Sequence, residues 1–183
     1  MPYLLLMLRC LIAATFLVAS AGKVSSSGRF REFVASVQDM GVVPRSWTTP
    51  VAALVVTLEI GVWALLAVPG RDAGIAGFLL AAALLSAFTA GIALSMRNGA
   101  RAACRCFGVS NAPLGRRHLA RNLLLTAGAV AGGVLIVAGD SARPHPQGAV
   151  PAVAAGLVLA AAVATSDEIV ALFGASTRPS GSR

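Results

Sequence analysis

The sequence predicts an all-α integral membrane protein built from several hydrophobic helices, and three observations carry that prediction. Of 183 residues, 57% are hydrophobic and only 12% charged, with a mean hydropathy of +0.80, whereas soluble domains carry about a quarter charged residues. Five apolar stretches approach the roughly 20 residues that a helix needs to span the hydrocarbon core. The basic residues behind the net charge of +8 sit in the gaps between those stretches. Nucleic-acid binders gather such residues on one continuous face, so no nucleic-acid partner is expected; the lipid bilayer is.

The five stretches are 3–21, 50–68, 73–96, 122–138 and 149–165. The first invites comparison with a signal peptide, because Ala19-Ser20-Ala21 resembles a small-residue cleavage site. A signal peptide carries positive charge ahead of its apolar region. Here only Arg9 is available and it lies well inside, so the stretch reads as a span. Pro69-Gly70 followed by Arg71-Asp72 makes a tight turn that folds the second and third stretches into an antiparallel hairpin. The fifth stretch is mostly alanine and only just long enough. After it come a short apolar run, 169–173, and a tail rich in Ser, Thr, Arg and Pro that reads as disordered.

Between the first two spans, Phe30, Phe33, Val34 and Val37 fall at helical spacing with Arg29, Arg31, Glu32 and Asp39 elsewhere on the turn. That pattern is an amphipathic helix, lying at the membrane surface or packed on the bundle, and ended by Gly41 and Pro44. Lys23, Arg29, Arg31 and Arg45 lie in one loop; Arg97, Arg101, Arg105, Arg116, Arg117 and Arg121 lie in another; Arg178 and Arg183 are in the tail. Only Arg71 and Arg143 fall on the other side. The positive-inside rule then puts the N-terminus outside a plasma membrane and the long loops and tail in the cytoplasm.

Two charges fall within spans, Arg9 in the first and Glu59 near the middle of the second. An ionisable side chain at that depth needs a partner or a function. At about 1.5 Å of rise per residue, Arg9 lies roughly 9 Å and Glu59 roughly 13 Å below the same face. Arg9 is therefore the expected partner, and Lys23, at the far end of the first span, is too distant in a straight-helix picture. A structural Arg9–Glu59 ion pair is the first reading, and a proton or quinone role for Glu59 the second. No other cofactor is expected. Gly128, Gly132 and Gly133 give the fourth span a small-residue face suited to close packing within the bundle.

The chemistry-bearing segment is Arg101-Ala102-Ala103-Cys104-Arg105-Cys106-Phe107-Gly108. Thiols one residue apart can close a very small disulfide ring, whose departure from relaxed geometry makes it easy to reduce. Arg101 and Arg105 favour the reactive thiolate, so redox exchange is the leading reading. Metal binding with His118 as a third ligand would still lack a fourth, and two inert or purely structural cysteines remain the plain alternative. Cys10, inside the first span, reads as an apolar filler.

The run Cys104, Cys106, Phe107, Gly108, followed by a helix opening Arg121-Asn122, resembles the MauE family of methylamine-utilisation membrane proteins. Gly22-Lys23, Phe33, Pro44 and Glu59 are similar to that family and its DoxX-like relatives. The resemblance covers roughly residues 10 to 140. It implies a MauE/DoxX-like antiparallel four-helix transmembrane bundle over 1–140; the fifth C-terminal helix and the tail, 141–183, lie outside the resemblance. It also implies a redox role for Cys104 and Cys106 in maturing a disulfide-rich exported client, such as the small subunit of methylamine dehydrogenase, with a thioredoxin-like membrane or exported partner. Glu59 and Lys23 inherit only the likeness. The cysteine loop is expected on the cytoplasmic side while such a client matures outside, which calls for electron relay or for a loop folded back into the bundle. A non-enzymatic scaffold and a quinone-linked accessory subunit are the competing functions.

Overall fold

The computed structural model describes residues 1–97, 116–139 and 145–175. They form six helices: α1 (Pro2–Val24), α2 (Ser27–Asp39), α3 (Thr48–Ala67), α4 (Arg71–Arg97), α5 (Arg116–Ala138) and α6 (Pro146–Ala175). There is no strand among the described residues. All but α2 are long and apolar enough to cross a membrane, and the chain is a multi-pass membrane protein. Many of its large apolar side chains are exposed, among them Leu54, Leu79, Leu124, Val150 and Val158, while Lys23, Glu59, Ser95 and Asn122 are buried. That inversion suits a bundle whose solvent is hydrocarbon.

Local chemistry sets the breaks between helices. Pro2 stands in the first turn of α1, where its missing N–H leaves no bond unmade. The Ser26 side chain accepts a hydrogen bond from the Arg29 N–H and so caps α2. Gly41 takes a φ of 66° and turns the chain out of α2. A single 3-10 turn, Arg45–Trp47, then leads from Pro44 into α3. Gly70, at φ 142°, makes the α3–α4 turn as tight as its Pro-Gly pair predicts.

Four spans surround one core. Going round it, α1 packs on α3, α3 on α4, α4 on α5 and α5 on α1, and the centre is filled by Ile12, Phe16, Val62, Leu66, Phe78, Leu85, Ile92 and Leu125. Neighbours run antiparallel. Gly74 near the start of α4 meets Ile136 near the end of α5, and Gly132 of α5 meets Phe78 of α4. A Cβ on Gly132 would stand 2.4 Å from the Phe78 ring, so the glycine face packs within the bundle, as expected from its spacing. The amphipathic α2 lays Phe33 on Ala52 and Val56 of α3, with Phe30, Val34 and Val37 around it.

The fifth span lies outside this ring and docks on α1. It runs parallel to α1, with Gly148 against Tyr3 and Gly156 against the Met7 carbonyl and Cys10. Its length corrects the sequence reading. The helix continues to Ala175 and absorbs the 169–173 run that hydropathy set apart. Ser166, Asp167 and Glu168 end the apolar stretch, but each keeps a backbone N–H for the helical ladder, and the helix runs on through them. For the same reason α5 begins at Arg116, six residues before its apolar window.

Candidate functional site

The two ends of the bundle treat charge differently. At the end where α1 begins, arginines cap helix C-termini. The Arg9 Nε donates to the Leu66 carbonyl at 2.6 Å and its Nη2 donates to the Val68 carbonyl. Arg71 Nη2 donates to the Val137 carbonyl at 3.2 Å. The last carbonyls of a helix have no partner within it and carry the negative end of the helix dipole, so these guanidinium groups satisfy the C-terminal ends of α3 and α5.

At the opposite end, Lys23 near the C-terminus of α1 places Nζ 2.5 Å from Glu59 Oε1 of α3, with the two residues 4% and 1% exposed. The ammonium also lies 4.9 Å from the centre of the Phe33 ring and 6.0 Å from that of Phe88, within the range of cation–π attraction. The expected Arg9–Glu59 pair is therefore not formed, and Lys23 is the partner of Glu59. Depth counting along straight helices missed this because it ignored side-chain direction. Helical Cα–Cβ bonds tilt toward the N-terminus of their own helix. In the antiparallel pair α1 and α3, Lys23 and Glu59 lean toward each other, whereas Arg9 and Glu59 lean apart.

Further buried polar groups cluster at the helix ends on this side: Ser95 late in α4, then His118 and Asn122 early in α5. Arg121 Nη2 lies 3.5 Å from His118 Nδ1. Glu59 Oε2, Ser95 Oγ and both side-chain amide atoms of Asn122 have no hydrogen-bond partner among the described residues, nor does Trp63 Nε1, one turn from Glu59 on α3. Sequence reasoning singled out Glu59 and quoted Asn122 as a family mark. It did not find Ser95 or the indole nitrogen of the half-buried Trp63, whose burial only the packed bundle reveals.

Cys104, Cys106, Arg101 and Arg105 lie outside the described residues. The helices that flank them do not: α4 ends at Arg97 and α5 starts at Arg116, both at the end of the bundle that holds Lys23, α2 and Arg45. Cys10 is half-buried with a free thiol and lies at the α1–α6 contact in the other half of the bundle. Its setting is that of a packing residue.

An antiparallel four-span bundle with a buried ion pair, a short amphipathic helix packed on it and an extra C-terminal span defines a class of polytopic α-helical membrane protein. Within that class the chain belongs to the MauE family, since the family described as "Methylamine utilisation protein MauE" matches residues 1–136. The match takes in α1 to α5 and the cysteine segment and stops before α6. Searches for similar curated proteins and for similar solved structures found no match.

Proposed function

We propose that this MauE-family protein is a membrane thiol–disulfide redox factor in which Cys104 and Cys106 form the exchanging pair. The observation that carries the reading is the Cys-Arg-Cys-Phe-Gly run itself, lying inside the region that matches a family described by methylamine utilisation. One thiolate attacks the disulfide of a thioredoxin-like partner. A mixed disulfide forms, and the second thiolate resolves it, leaving the pair oxidised and the partner reduced. The reverse sequence delivers a disulfide. Electrons and protons balance within the exchange, and Arg101 and Arg105 favour the thiolate. The service rendered is disulfide formation in an exported redox protein, with methylamine dehydrogenase as the client that the family's description suggests.

Sidedness follows from charge. Lys23, Arg29, Arg31, Arg45, Arg97 and Arg121 belong to one end of the bundle, and the positive-inside rule assigns that end to the cytoplasm of a plasma-membrane protein. In this scheme two electrons per client disulfide pass through the thioredoxin-like partner to the oxidised pair, and a disulfide-bearing acceptor at the cytoplasmic end re-oxidises the pair.

Replacing Cys104 or Cys106 by Ser should abolish accumulation of the oxidised client while leaving the protein's abundance in the membrane unchanged. Cys106→Ser alone should trap the partner as an adduct that a reductant releases. Full client oxidation in the double Ser variant would overturn the proposal.

A further inference from the structure

The seam between α4 and α5 opens into a cavity of about 420 Å³. Ile75, Leu79 and Ala82 of α4 and Ala129, Gly133 and Val137 of α5 are among its lining residues, all of which are apolar. Leu79 and Val137 are exposed, so the cavity is a groove on the lipid-facing side of the bundle. Gly133 contributes no side chain and Ala82 and Ala129 a single methyl group each, which leaves a trough where larger residues would close the surface. From Ala129 to Ala138 the groove follows α5 for about 14 Å at 1.5 Å of rise per residue. That is close to the roughly 15 Å of hydrocarbon in one leaflet, the reach of one acyl chain. Left empty, the walls forfeit van der Waals contacts, and hydrocarbon supplies no water to fill them.

The charges at its mouth narrow the occupant. Arg71 and Asp72 lie one turn before Ile75, on the stripe of α4 that faces the groove. The Arg71 guanidinium reaches across the seam and donates to the carbonyl of Val137, a lining residue, at 3.2 Å. That bond uses one of its five N–H donors. Arg71 and Asp72 are both exposed and form no ion pair with each other among the described residues. A cation and an anion side by side, at the end of a trough as long as an acyl chain, match a zwitterionic head group. We propose that the α4–α5 groove binds an aminophospholipid of the phosphatidylethanolamine type. One acyl chain lies along Ile75, Leu79 and Gly133, the phosphate meets Arg71 and the ammonium meets Asp72. With the sidedness assigned above, this lipid belongs to the outer leaflet. A partner helix would fill the trough equally well; the charge pair at the mouth favours the lipid.

The test uses the full-length chain, purified in detergent, stripped of lipid and followed by native mass spectrometry. Dioleoylphosphatidylethanolamine or dioleoylphosphatidylglycerol is then added. One phosphatidylethanolamine should bind saturably and about fivefold more tightly than phosphatidylglycerol, the scale of one exposed ion pair. Asp72→Asn should erase that preference, and Arg71→Gln should weaken both lipids. Gly133→Leu fills the trough, since a Cβ at this position makes only an ordinary contact of 3.7 Å with the Phe78 Cβ. It should cut binding about tenfold while leaving thermal unfolding of the lipid-free chain unchanged. Equal binding of the two lipids by the unsubstituted chain, or full binding by the Gly133→Leu chain, would overturn the proposal. A dimer of the unsubstituted chain that Gly133→Leu splits would also overturn it, because a second copy would then occupy the trough. If Gly133→Leu does not fold, photolabelling of the unsubstituted chain with a phosphatidylethanolamine that carries a diazirine on one acyl chain decides. Label concentrated on Leu79, Val130 and Val134 supports the site, and label spread equally over Leu54 of α3 and Val158 of α6 overturns it.

Discussion

Glu59 and Lys23 share a buried contact of 2.5 Å, and its energetics are asymmetric. Removing one member leaves a charge with no counter-charge in a low-dielectric interior, a change that costs about 3–5 kcal/mol in buried pairs, whereas replacing both by apolar residues of similar volume is often neutral. Lys23→Met and Glu59→Leu should therefore each lower the midpoint of denaturation of the purified protein sharply, and the double variant should recover most of the loss. Equal, additive losses would show that the two side chains act independently. The sequence made Glu59 conspicuous because a carboxylate in an apolar stretch is rare. It concealed the partner, because Lys23 closes the first span and looks like an ordinary interfacial lysine. Only the converging tilt of side chains in an antiparallel pair brings them together, and residue spacing in one chain does not display that tilt. Cys104 and Cys106 are the opposite case: their spacing and cationic neighbours are legible from sequence, and they lie outside the described residues.

At the scale of elements, close approach between helices depends on particular glycines. Gly132→Ala would set a methyl group 2.4 Å from the Phe78 ring, and overpacking of this kind costs about 1–3 kcal/mol. The loss should appear in thermal unfolding and should be partly rescued by Phe78→Leu, which withdraws the ring. At the other contact, Gly156 lets α6 approach the Met7 carbonyl and Cys10 of α1. Gly156→Val should loosen α6 from α1, raising alkylation of the Cys10 thiol in detergent while leaving the melting of the four-span core nearly unchanged. The positions of the spans were readable from apolar runs, but their ends were not. Hydropathy reports where a helix sits in lipid, whereas its backbone stops only where capping or a breaker stops it. This is why α5 and α6 both outrun their apolar windows.

The whole molecule is a four-span ring with an appended fifth span, and the family match to residues 1–136 ends where the ring ends. The residues that fill the central core belong to α1, α3, α4 and α5. A chain truncated after α5 should therefore still insert and remain monodisperse in detergent, as size-exclusion chromatography would show; aggregation would mean that α6 is needed to cover α1. The arrangement also gives the ends distinct work, with arginine caps at one and the Lys23–Glu59 pair, α2 and both flanks of the cysteine segment at the other. The central claim concerns that segment, and thiol trapping tests it most directly. In intact cells carrying the Cys10→Ala chain, the thiols are quenched with acid and alkylated with a mass-shifting maleimide, with and without prior reduction. A parallel sample meets a membrane-impermeant maleimide before lysis. The account predicts that part of the Cys104–Cys106 pair resists alkylation until it is reduced, that loss of the thioredoxin-like partner changes this fraction, and that the impermeant reagent does not reach the pair from outside. Two sulfurs alkylated in full without reduction, whatever the partner's presence, would contradict it.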